Sequence, residues 1–359
     1  MDLFEVSAKF KINGRAVSIT PYGEGHINET YLLVTDKGFK YILQKINHRL
    51  FKDVEKLMRN IELVTAHVAE KVRQKGGDVS REVLTIVRTD EDKTYYGDDE
   101  TGYFRVYIYI YNATAHQVVK KSEHFYQSAY AFGTFQNQLA DFDARRLHEI
   151  IPNFHNTVVR FENFKRAVEA DRMGRLRLVR REVDFVLERE GYCGRIVKLL
   201  ECGQMPLKVT HNDTKLNNVM IDDATDKAVA VIDLDTVMPG SSCYDFGDSI
   251  RFGCNPAAED EVDLSKVNFR LDLFKAYTEG YLAALKNISE TEKEYLPFSA
   301  ILMTYECGMR FLTDYLEGDT YFRIKRQNHN LDRARTQFKL VSDMEKALGQ
   351  MNEIVYSFK

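Results

Sequence analysis

VTHNDTKLNNVMIDDATDKAVAVIDLD, residues 209–235, is the stretch that decides the fold of this 359-residue chain. A short polar loop carrying His211, Asp213 and Asn218 precedes two apolar strands, and the polar turn DDATDK joins them. The segments NNVMI and KAVAVID are suited to pairing as a β-hairpin. This pairing would bring Asn218, at the start of one strand, beside Asp233, at the end of the other.

The polar residues of this block predict a phosphoryl-transfer site. Such a reaction needs a carboxylate that orients the acceptor hydroxyl and oxygen ligands for Mg²⁺, because the protein contributes mainly positioning and electrostatics. Asp213 is the candidate catalytic base, and Asn218 and Asp233 are the candidate metal ligands. Taken singly, each residue could instead be a turn cap, a loop residue or a strand-end turn former. Their combination favours a site.

The regions on either side of this block differ in secondary-structure pattern. Short strands and one helix, over about residues 53–75, predict an antiparallel sheet in an N-terminal nucleotide-binding lobe of residues 1–111. Long helical patterns at about 121–142, 156–189, 262–288, 291–317 and 331–355 predict a mostly helical C-terminal catalytic and substrate-binding lobe of residues 112–359. The fold class is therefore α+β, with a hinge near residues 110–112 and the ligand site in the cleft.

Composition limits the possible partners. The 50 Lys and Arg nearly balance the 54 Asp and Glu, and the net charge of -4 gives no reason to expect nucleic acid as a partner. The five cysteines are scattered without a CxxC pair, which predicts buried reduced thiols rather than disulfides or zinc. Since no apolar stretch has the length of a signal peptide or membrane span, we expect a cytoplasmic monomer or weak dimer without membrane contact.

The segment PYGEGHINETY predicts a phosphate-side loop. Gly23 and Gly25 lie between two predicted strands, where flexible backbone can approach phosphates and offer N–H donors. Two glycines in a hairpin can also be a simple turn. Because this hairpin opens the sheet that should cover a nucleotide, we assign Tyr22, Gly23, Gly25 and His26 to the loop, and we expect Tyr111 at the hinge to contact the nucleotide as well.

The order HxDxxxxN, apolar strand, Asp resembles the catalytic segment of the aminoglycoside phosphotransferase and choline kinase superfamily, relatives of protein kinases. The resemblance implies a two-lobed protein-kinase-like fold with Asp213 as base, Asn218 and Asp233 on Mg²⁺, and His211 supporting the loop. Asp245-Phe246-Gly247 spells the protein-kinase metal motif, but by resemblance it starts a helix, and we expect Asp245 to brace the catalytic loop. Asp235 could be a second metal ligand or a substrate contact.

The predicted third strand departs from the superfamily pattern. Members usually carry YxLK or YxLR there, whereas this chain has Gln44 followed by Lys45. Either Gln44 contacts the nucleotide while Lys45 faces outward, or a local bulge turns Lys45 inward, since adjacent strand residues point to opposite faces. Glu62 on the following helix is a possible partner for Lys45.

A closer resemblance, to the bacterial N-acetylhexosamine 1-kinase family, rests on four segments, namely SITPYGEGHINETY, YILQKIN, KVTHNDTKLNNVM and ECGMRFLTDYLEGD. It implies ATP- and Mg²⁺-dependent phosphorylation of the anomeric hydroxyl of N-acetylglucosamine or N-acetylgalactosamine. It also implies that Asp213, His26, Phe252 and Arg310 contact the sugar. Arg310 could instead form a salt bridge with Asp314, one helical turn on, and the nearby aromatic residues Tyr315, Tyr321 and Phe322 could stack on a sugar or belong to the core.

Two alternatives stay open at this point. The same Asp213 chemistry could phosphorylate homoserine, choline or an aminoglycoside, although an arginine in the pocket argues against a cationic acceptor. Alternatively, Gln44 at the usual lysine position could mark a pseudokinase that holds nucleotide without turnover.

Overall fold

The computed structural model describes residues 2–23, 27–119 and 121–358. Its N-terminal part is an antiparallel sheet with one main helix, as predicted. The strands are β1 (Ala16–Pro21), β2 (Glu29–Thr35), β3 (Lys40–Ile46), β4 (Ile86–Val87), β5 (Tyr96–Asp98) and β6 (Gly102–Ile108), and the helices are α1 (Leu3–Ser7), α2 (Val54–Gln74) and α3 (Val79–Glu82).

The sheet has the strand order β1-β2-β3-β6-β4, with β5 on the end of β6. Strands β2, β3 and β6 pair in continuous antiparallel register, so that Gln44 lies between Thr30 on one neighbour and Arg105 on the other. A continuous register excludes the bulge that would have turned Lys45 inward. The directions of the side chains along β3 therefore alternate without interruption.

Helix α2 packs its apolar stripe against the sheet. Asp53 caps the helix by accepting a hydrogen bond from the N–H of Lys56 at 3.0 Å, while the i, i+4 series Leu57, Ile61 and Thr65 includes buried positions along one face. The apolar cluster under this helix also takes in Val209 and Leu234 from the C-terminal part. The core thus continues from the sheet into the predicted site block.

The C-terminal part contains a small sheet of β10-β9-β7 and a strand pair β11-β8. Its strands are β7 (Ala113–Ala115), β8 (Lys208–Thr210), β9 (Val219–Asp222), β10 (Ala228–Val231) and β11 (Met238–Gly240). The predicted hairpin is therefore confirmed as β9 and β10. Because β7 pairs with β9, the chain has already entered the second sheet by Ala113, which agrees with the lobe boundary at 111/112; that boundary stays a prediction.

Helices make up most of the remaining chain, as predicted. They are α4 (Ser122–Gln138), α5 (Thr157–Ala170), α6 (Arg180–Leu187), α7 (Glu190–Cys193), α8 (Arg195–Glu201), α9 (Ser242–Gly253), α10 (Leu271–Ala284), α11 (Glu290–Glu317) and α12 (His329–Ser357). Helix α11 begins with a capping box of Ser289 and Glu292 and ends at Gly318, whose φ is 101°.

Two predicted helices are shorter than expected. The pattern at 156–189 breaks after Ala170, because Asp171 adopts a left-handed conformation and Gly174 follows with φ 62°. The pattern at 262–288 becomes α-helical only at Leu271. Apolar spacing continued through both interruptions, so periodicity alone overestimated the helix lengths.

The main apolar core lies among α4, α9, α10, α11 and α12 and contains fully buried aromatic residues, among them Phe132, Phe246, Tyr277 and Tyr281. Of the cysteines, Cys193, Cys243 and Cys254 are buried and Cys307 is half-buried, whereas Cys202 is exposed, contrary to the prediction. In the described part of the chain, the helices all fall short of the length and apolar character needed to cross a membrane.

Candidate active site

The loop after β8 brings the predicted base and one predicted metal ligand together. Asn218 donates hydrogen bonds from Nδ2 to Oδ2 of Asp213 at 3.1 Å and to the backbone oxygen of Asp213 at 2.8 Å. Asp213 is partly buried, with 26% of its side chain exposed. Because the amide nitrogen of Asn218 makes both bonds, its amide oxygen is left for another ligand.

His211 supports the catalytic loop that follows β8, as predicted. Its Nε2 lies 2.9 Å from the backbone oxygen of Ile232, and its Nδ1 accepts a hydrogen bond from the N–H of Asp213 at 3.3 Å. The carbonyl partner requires a proton on Nε2, which leaves Nδ1 as the acceptor. The buried ring also packs against Phe132 and Phe135. The imidazole therefore links the loop to the strand that leads to Asp233.

Asp245 braces the loop from the other side. Its carboxylate accepts hydrogen bonds from the N–H groups of His211 at 3.0 Å and Asn212 at 2.8 Å, and from Nε2 of Gln136 at 2.8 Å. Burial raises the pKa of Asp245, and these donors oppose that shift. A carboxylate already occupied in this way is poorly suited to binding a metal, which confirms the interpretation of the Asp245-Phe246-Gly247 motif as structural.

The β9–β10 hairpin brings Asp233 to Asn218, as predicted. Val231 pairs with Val219, and the N–H of Ile232 donates to the backbone oxygen of Asn218 at 2.9 Å. The strand then ends, because Asp233 adopts the left-handed conformation with φ 60° and ψ 60°. After this change of direction the chain forms a short 3₁₀ turn, here called the 233–237 turn.

The carboxylate of Asp233 is surrounded by negative charge. It follows the end of β10, and its side chain is exposed to solvent. Desolvation raises its pKa to about 7, the repulsion by Asp235 and Asp213 adds to the shift, and Arg105 and Lys215 oppose it. A cation at this position would relieve the repulsion.

The donor chemistry fits a hard divalent cation. Asp233 and Asn218 both offer oxygen, and such a cation commonly takes one or two protein oxygens and completes its shell with water and phosphate oxygens. Among the described residues, no group of three or more His, Cys, Asp and Glu side chains could hold a metal by itself. Asp233 and Asn218 would therefore supply only part of the oxygen shell of a metal bound here.

Lys215 is a site residue that the sequence analysis missed. Its Nζ lies 2.7 Å from Oδ1 of Asp213, and the negative charge of Asp213, with a smaller contribution from Asp248, raises the pKa of this lysine. Asp248 also accepts the N–H of Thr214 at 3.0 Å and pairs with Arg251. A lysine two residues after the base in HNDTK was the available signal.

Asp235 is neither a metal ligand nor a cleft-facing residue, so both roles considered for it are wrong. The strand does not continue past Asp233, and the side chain of Asp235 turns into a buried ion pair with Arg105 on β6, at 2.5 Å between Oδ1 and Nη1. Arg105 was missed because nothing in YFRVYIYI indicated its partner. A charged residue in an apolar strand was itself the signal that a partner exists.

Gln44 and Lys45 are both engaged with protein neighbours. Gln44 accepts from Nε of Arg105 and donates to Oγ1 of Thr30, each at 3.0 Å. Lys45 lies on the opposite face, half exposed, with its Nζ 3.9 Å from Glu29. The outward orientation of Lys45 is confirmed, and the inward alternative is wrong. A nucleotide contact by Gln44 stays a prediction.

Glu62 does not pair with Lys45, contrary to the suggestion from sequence. It forms ion pairs with Arg88 at 2.5 Å and with Arg59 at 3.4 Å. Since Lys45 faces away from α2, its side chain has no route to this carboxylate.

The phosphate-side loop is described in part. Tyr22 and Gly23 follow β1, and Gly23 has φ 76°, a value that favours glycine. Gly25 and His26 lie outside the described residues. The ring of Tyr22 meets the edge of Tyr109 at 6.2 Å, and Tyr109 in turn meets Tyr111 at 5.2 Å. Tyr22 and Tyr111 are thus brought near each other through Tyr109, which the sequence analysis did not select.

Arg310 lies in a cavity of about 440 Å³ between α5, α11 and the loop after α11. Its guanidinium is 5.4 Å from the ring centre of Phe154, 5.5 Å from that of Phe322 and 5.9 Å from that of Tyr321. The predicted alternative, a salt bridge to Asp314, is wrong, because no ion pair joins the two described side chains. The guanidinium of Arg310 therefore lies among aromatic rings at the wall of this cavity.

Asp314 instead holds the loop that follows α11. Its carboxylate accepts the backbone N–H groups of Thr320, Tyr321 and Phe322 at 2.8 to 2.9 Å, and also Nδ2 of Asn330. These bonds present the rings of residues 321 and 322 to the cavity of Arg310. Tyr315, by contrast, is buried in the core.

Phe252 lies in the last turn of α9 and is half-buried, one residue after Arg251. Arg251 is bound to Asp248, whose other oxygen accepts the N–H of Thr214 in the catalytic loop. This chain of contacts leads from Phe252 toward the loop of Asp213. That Phe252 forms a wall of the acceptor site stays a prediction.

Comparison with known proteins identifies a family match that covers most of the chain. The sequence matches the phosphotransferase enzyme family (APH) over residues 18–286, most of the chain. The chain belongs to this family. It is a phosphotransferase by family, and the sheet with helices described above is the kinase-like fold of its relatives. The narrower resemblance to N-acetylhexosamine 1-kinases is not part of this finding.

Solved structures share the fold at low sequence identity. The aminoglycoside phosphotransferase from Alicyclobacillus acidocaldarius matches with a TM-score of 0.63 and 14% identity over 98% of this chain and 96% of that one. A microcompartment-associated aminopropanol kinase gives 0.60 and 13% over 98% of both chains. An amicoumacin kinase in complex with AMP-PNP, Ca²⁺ and Ami gives 0.59 and 14% over 96% and 92%.

Proposed function

We propose that this phosphotransferase moves the γ-phosphate of ATP onto the anomeric hydroxyl of an N-acetylhexosamine, N-acetylglucosamine or N-acetylgalactosamine, in a Mg²⁺-dependent reaction. The observation that carries the kinase chemistry is the convergence of Asp213, Asn218 and Asp233 at one end of the β9–β10 hairpin. The choice of acceptor rests on the resemblance of four sequence segments and on the surroundings of Arg310.

Asp213 is the proposed base. In the proposed step, its carboxylate accepts the proton of the acceptor hydroxyl while that oxygen bonds to the γ-phosphorus, the bond from phosphorus to the β–γ bridging oxygen breaks, and ADP leaves. Asn218 fixes Asp213 Oδ2, and Lys215 lies at Oδ1. The carboxylate is therefore held by both neighbours before a substrate arrives.

Asp233 and the amide oxygen of Asn218 would hold the Mg²⁺. When bound, this ion neutralises phosphate charge. Asp233 is suited to the role because it makes no hydrogen bond or ion pair with another described residue, and its neighbours Asp213 and Asp235 repel it. The bound nucleotide phosphates would complete the set of oxygen ligands.

The acceptor pocket is proposed around Arg310, Tyr321 and Phe322. A neutral acetamido sugar needs hydrogen-bond donors for its oxygens and aromatic surface for its apolar face. Arg160 also lies in this cavity, with its guanidinium bound to the backbone oxygen of Phe154. Four arginines line the cavity, Arg160, Arg166, Arg172 and Arg310, against two acidic residues, Asp314 and Glu317. This excess of positive charge disfavours a cationic acceptor, which counts against choline and aminoglycosides.

A kinase for another small-molecule hydroxyl is the second candidate, because the structurally similar proteins include an aminopropanol kinase and an amicoumacin kinase. A binding protein without turnover is a weaker candidate, since the proposed base Asp213 and the proposed metal ligands Asn218 and Asp233 converge. The cytoplasmic location and the monomeric or weakly dimeric state stay predictions.

ADP release with Mg²⁺-ATP, measured against N-acetylglucosamine, N-acetylgalactosamine, the unacetylated hexoses, choline, homoserine and kanamycin, tests the proposal. Phosphorus NMR of the product locates the phosphorylated carbon. An acetamido sugar as best substrate with a 1-phosphate product is the expected result. A different preferred alcohol would leave the kinase chemistry and remove the sugar assignment, and no turnover with any acceptor would favour the binding protein.

A further inference from the structure

A buried polar network connects the N-terminal sheet to the 233–237 turn. Arg105 on β6 and Asp235 in the turn are 1% and 4% exposed. Nη2 of Arg105 donates a hydrogen bond to Oδ2 of Asp235 at 2.9 Å, and Nη1 lies 2.5 Å from Oδ1 as a close ion pair. The hydrogen bond fixes Oδ2, and the ion pair holds the carboxylate against the guanidinium.

Each member of the ion pair has a second partner. Gln44 accepts from Nε of Arg105 at 3.0 Å, and Asn28 donates from Nδ2 to Oδ2 of Asp235 at 2.6 Å. The amide oxygen of Asn28 accepts the N–H of Asn47 at 2.9 Å. The ends of β2 and β3 are therefore both tied to the turn that begins with Asp233.

The rest of the turn is bound to the catalytic loop and to α2. Nδ2 of Asn212 donates to the backbone oxygen of Thr236 at 2.7 Å, and Oγ1 of Thr236 donates to the backbone oxygen of His211 at 2.7 Å. Asn60 on α2 donates to the backbone oxygen of Val237 at 2.9 Å. Arg105 and Asp235 thus form the connection between this rigid turn and the sheet.

The position of Asp233 depends on this connection. Its own side chain has no hydrogen bond or ion pair to another described residue, its backbone is left-handed, and the neighbouring carboxylates of Asp213 and Asp235 repel it. Two residues after Asp233, Asp235 is held by its ion pair with Arg105. The guanidinium also supplies the nearest positive charge on the sheet side, which offsets part of the repulsion.

We propose that Arg105 is a positioning residue for divalent-metal binding, acting on Asp233 through Asp235. The inference rests on the proposed function, because it assigns the metal to Asp233 and Asn218. A buried ion pair often adds little to stability, since the cost of desolvation offsets the attraction. Its retention here fits a role in fixing the geometry of the metal ligand.

Mn²⁺ binding in the presence of saturating ADP, followed by electron paramagnetic resonance, tests this role without turnover. Arg105→Met should weaken Mn²⁺ binding by about 10- to 100-fold, the usual effect of removing a group that orients a metal ligand. Arg105→Lys should recover part of the affinity. In steady state, kcat and the Mg²⁺ concentration for half-maximal rate should change together, with little change in acceptor KM.

Arg81→Met is the matched control. Arg81 on α3 and Asp222 on β9 form another ion pair between the N-terminal and C-terminal parts, at 2.8 Å, away from the 233–237 turn. Mn²⁺ affinity should stay at the wild-type value in this variant. If Arg81→Met weakened Mn²⁺ binding as much as Arg105→Met, the pair would serve lobe docking alone and the positioning role would be wrong.

A double variant covers the case in which Arg105→Met does not fold. Arg105→Met/Asp235→Leu replaces the ion pair with apolar side chains, an exchange that is often neutral for stability, and it should still lose Mn²⁺ affinity. A folded double variant with wild-type Mn²⁺ affinity would overturn the proposal. Failure of the wild-type protein to bind Mn²⁺ with ADP would instead count against the kinase function itself.

Discussion

Asp233 and Asp245 both lie beside the catalytic loop, but their carboxylates have opposite surroundings. Asp245 is buried and accepts three hydrogen bonds, two of them from the loop backbone. Asp233 is exposed to solvent, is repelled by its acidic neighbours, and has no protein partner among the described residues. The occupied carboxylate maintains the loop, and the unoccupied one is available to a ligand. Hydrogen-bond saturation distinguishes the two, whereas the motif spelled around Asp245 points to the wrong residue.

The largest expected effect is at Asp213, whose catalytic loop lies beside both Asp233 and Asp245. Asp213→Asn should lower kcat by roughly 10²- to 10⁴-fold, because the amide cannot accept the hydroxyl proton. ADP binding, measured by calorimetry, should change little. Asp223→Asn, in the exposed turn between β9 and β10, is the control and should keep the wild-type rate. An Asp213→Asn enzyme with normal turnover would contradict the assignment of the base.

Asp233→Asn should reduce turnover strongly while leaving the protein as stable as the wild type. The substitution removes a repelled charge, and asparagine tolerates the left-handed backbone of this position. Urea unfolding and ADP release on the same preparation separate the two properties. A clear loss of stability would show that Asp233 has a structural role like that of Asp245.

Asp245→Asn should give the reverse pattern, in which the loss of stability is the primary defect. Its amide would face N–H donors and leave at least one buried group unsatisfied, at a cost of about 1–3 kcal/mol. The free energy of unfolding from urea titration measures this cost. If Asp245→Asn unfolded like the wild type and lost metal affinity instead, the contrast between the two aspartates would fail.

Arg310→Ala tests the acceptor side and should have a smaller effect. Loss of a charged hydrogen bond of about 1.5–3 kcal/mol should lower kcat/KM for the acceptor by roughly 10- to 100-fold. The KM for ATP should stay near the wild-type value, because the cavity of Arg310 is formed by α5, α11 and the following loop. An equal rise in both KM values would argue for a general structural defect.

The smallest effect is expected for Lys45→Ala. The lysine faces solvent, and an exposed pair such as that with Glu29, at 3.9 Å, contributes about 0–1 kcal/mol. Steady-state KM for ATP is the measurement. A large increase would mean that Lys45 reaches the nucleotide when it is bound, contrary to its outward orientation in this structure.

The sequence was sufficient for features that depend on local patterns. The apolar stripe of α2, and the two apolar segments joined by a polar turn at β9 and β10, predicted those elements, and the hairpin then placed Asn218 next to Asp233. The prediction that Asp245 braces the loop came from resemblance, and its hydrogen bonds confirm it. In each of these cases, either the residues concerned lie close together in the sequence, or the order of segments matches that of the family the chain resembles.

Contacts across long sequence separations were not predictable. Arg105 pairs with Asp235 from a strand in another sheet, and the alternation of neither segment indicates that pairing. The end of the strand at Asp233 was predicted, but its left-handed backbone was not, because that conformation is set by the 233–237 turn that follows. The length of the helix predicted at 156–189 was wrong for a similar reason, since Asp171 ends it through its backbone conformation.

The way in which Asp314 holds the loop after α11 has a consequence for how acceptor choice can evolve. The carboxylate binds backbone N–H groups of residues 320–322, so the loop is specified by its main chain and not by its side chains. Tyr321, whose side chain is exposed, can therefore be exchanged without dismantling the loop, whereas Phe322 also packs against Phe311. Duplicated copies of such a gene could acquire new acceptors through substitution at Tyr321, while the catalytic loop and its supports stay unaltered.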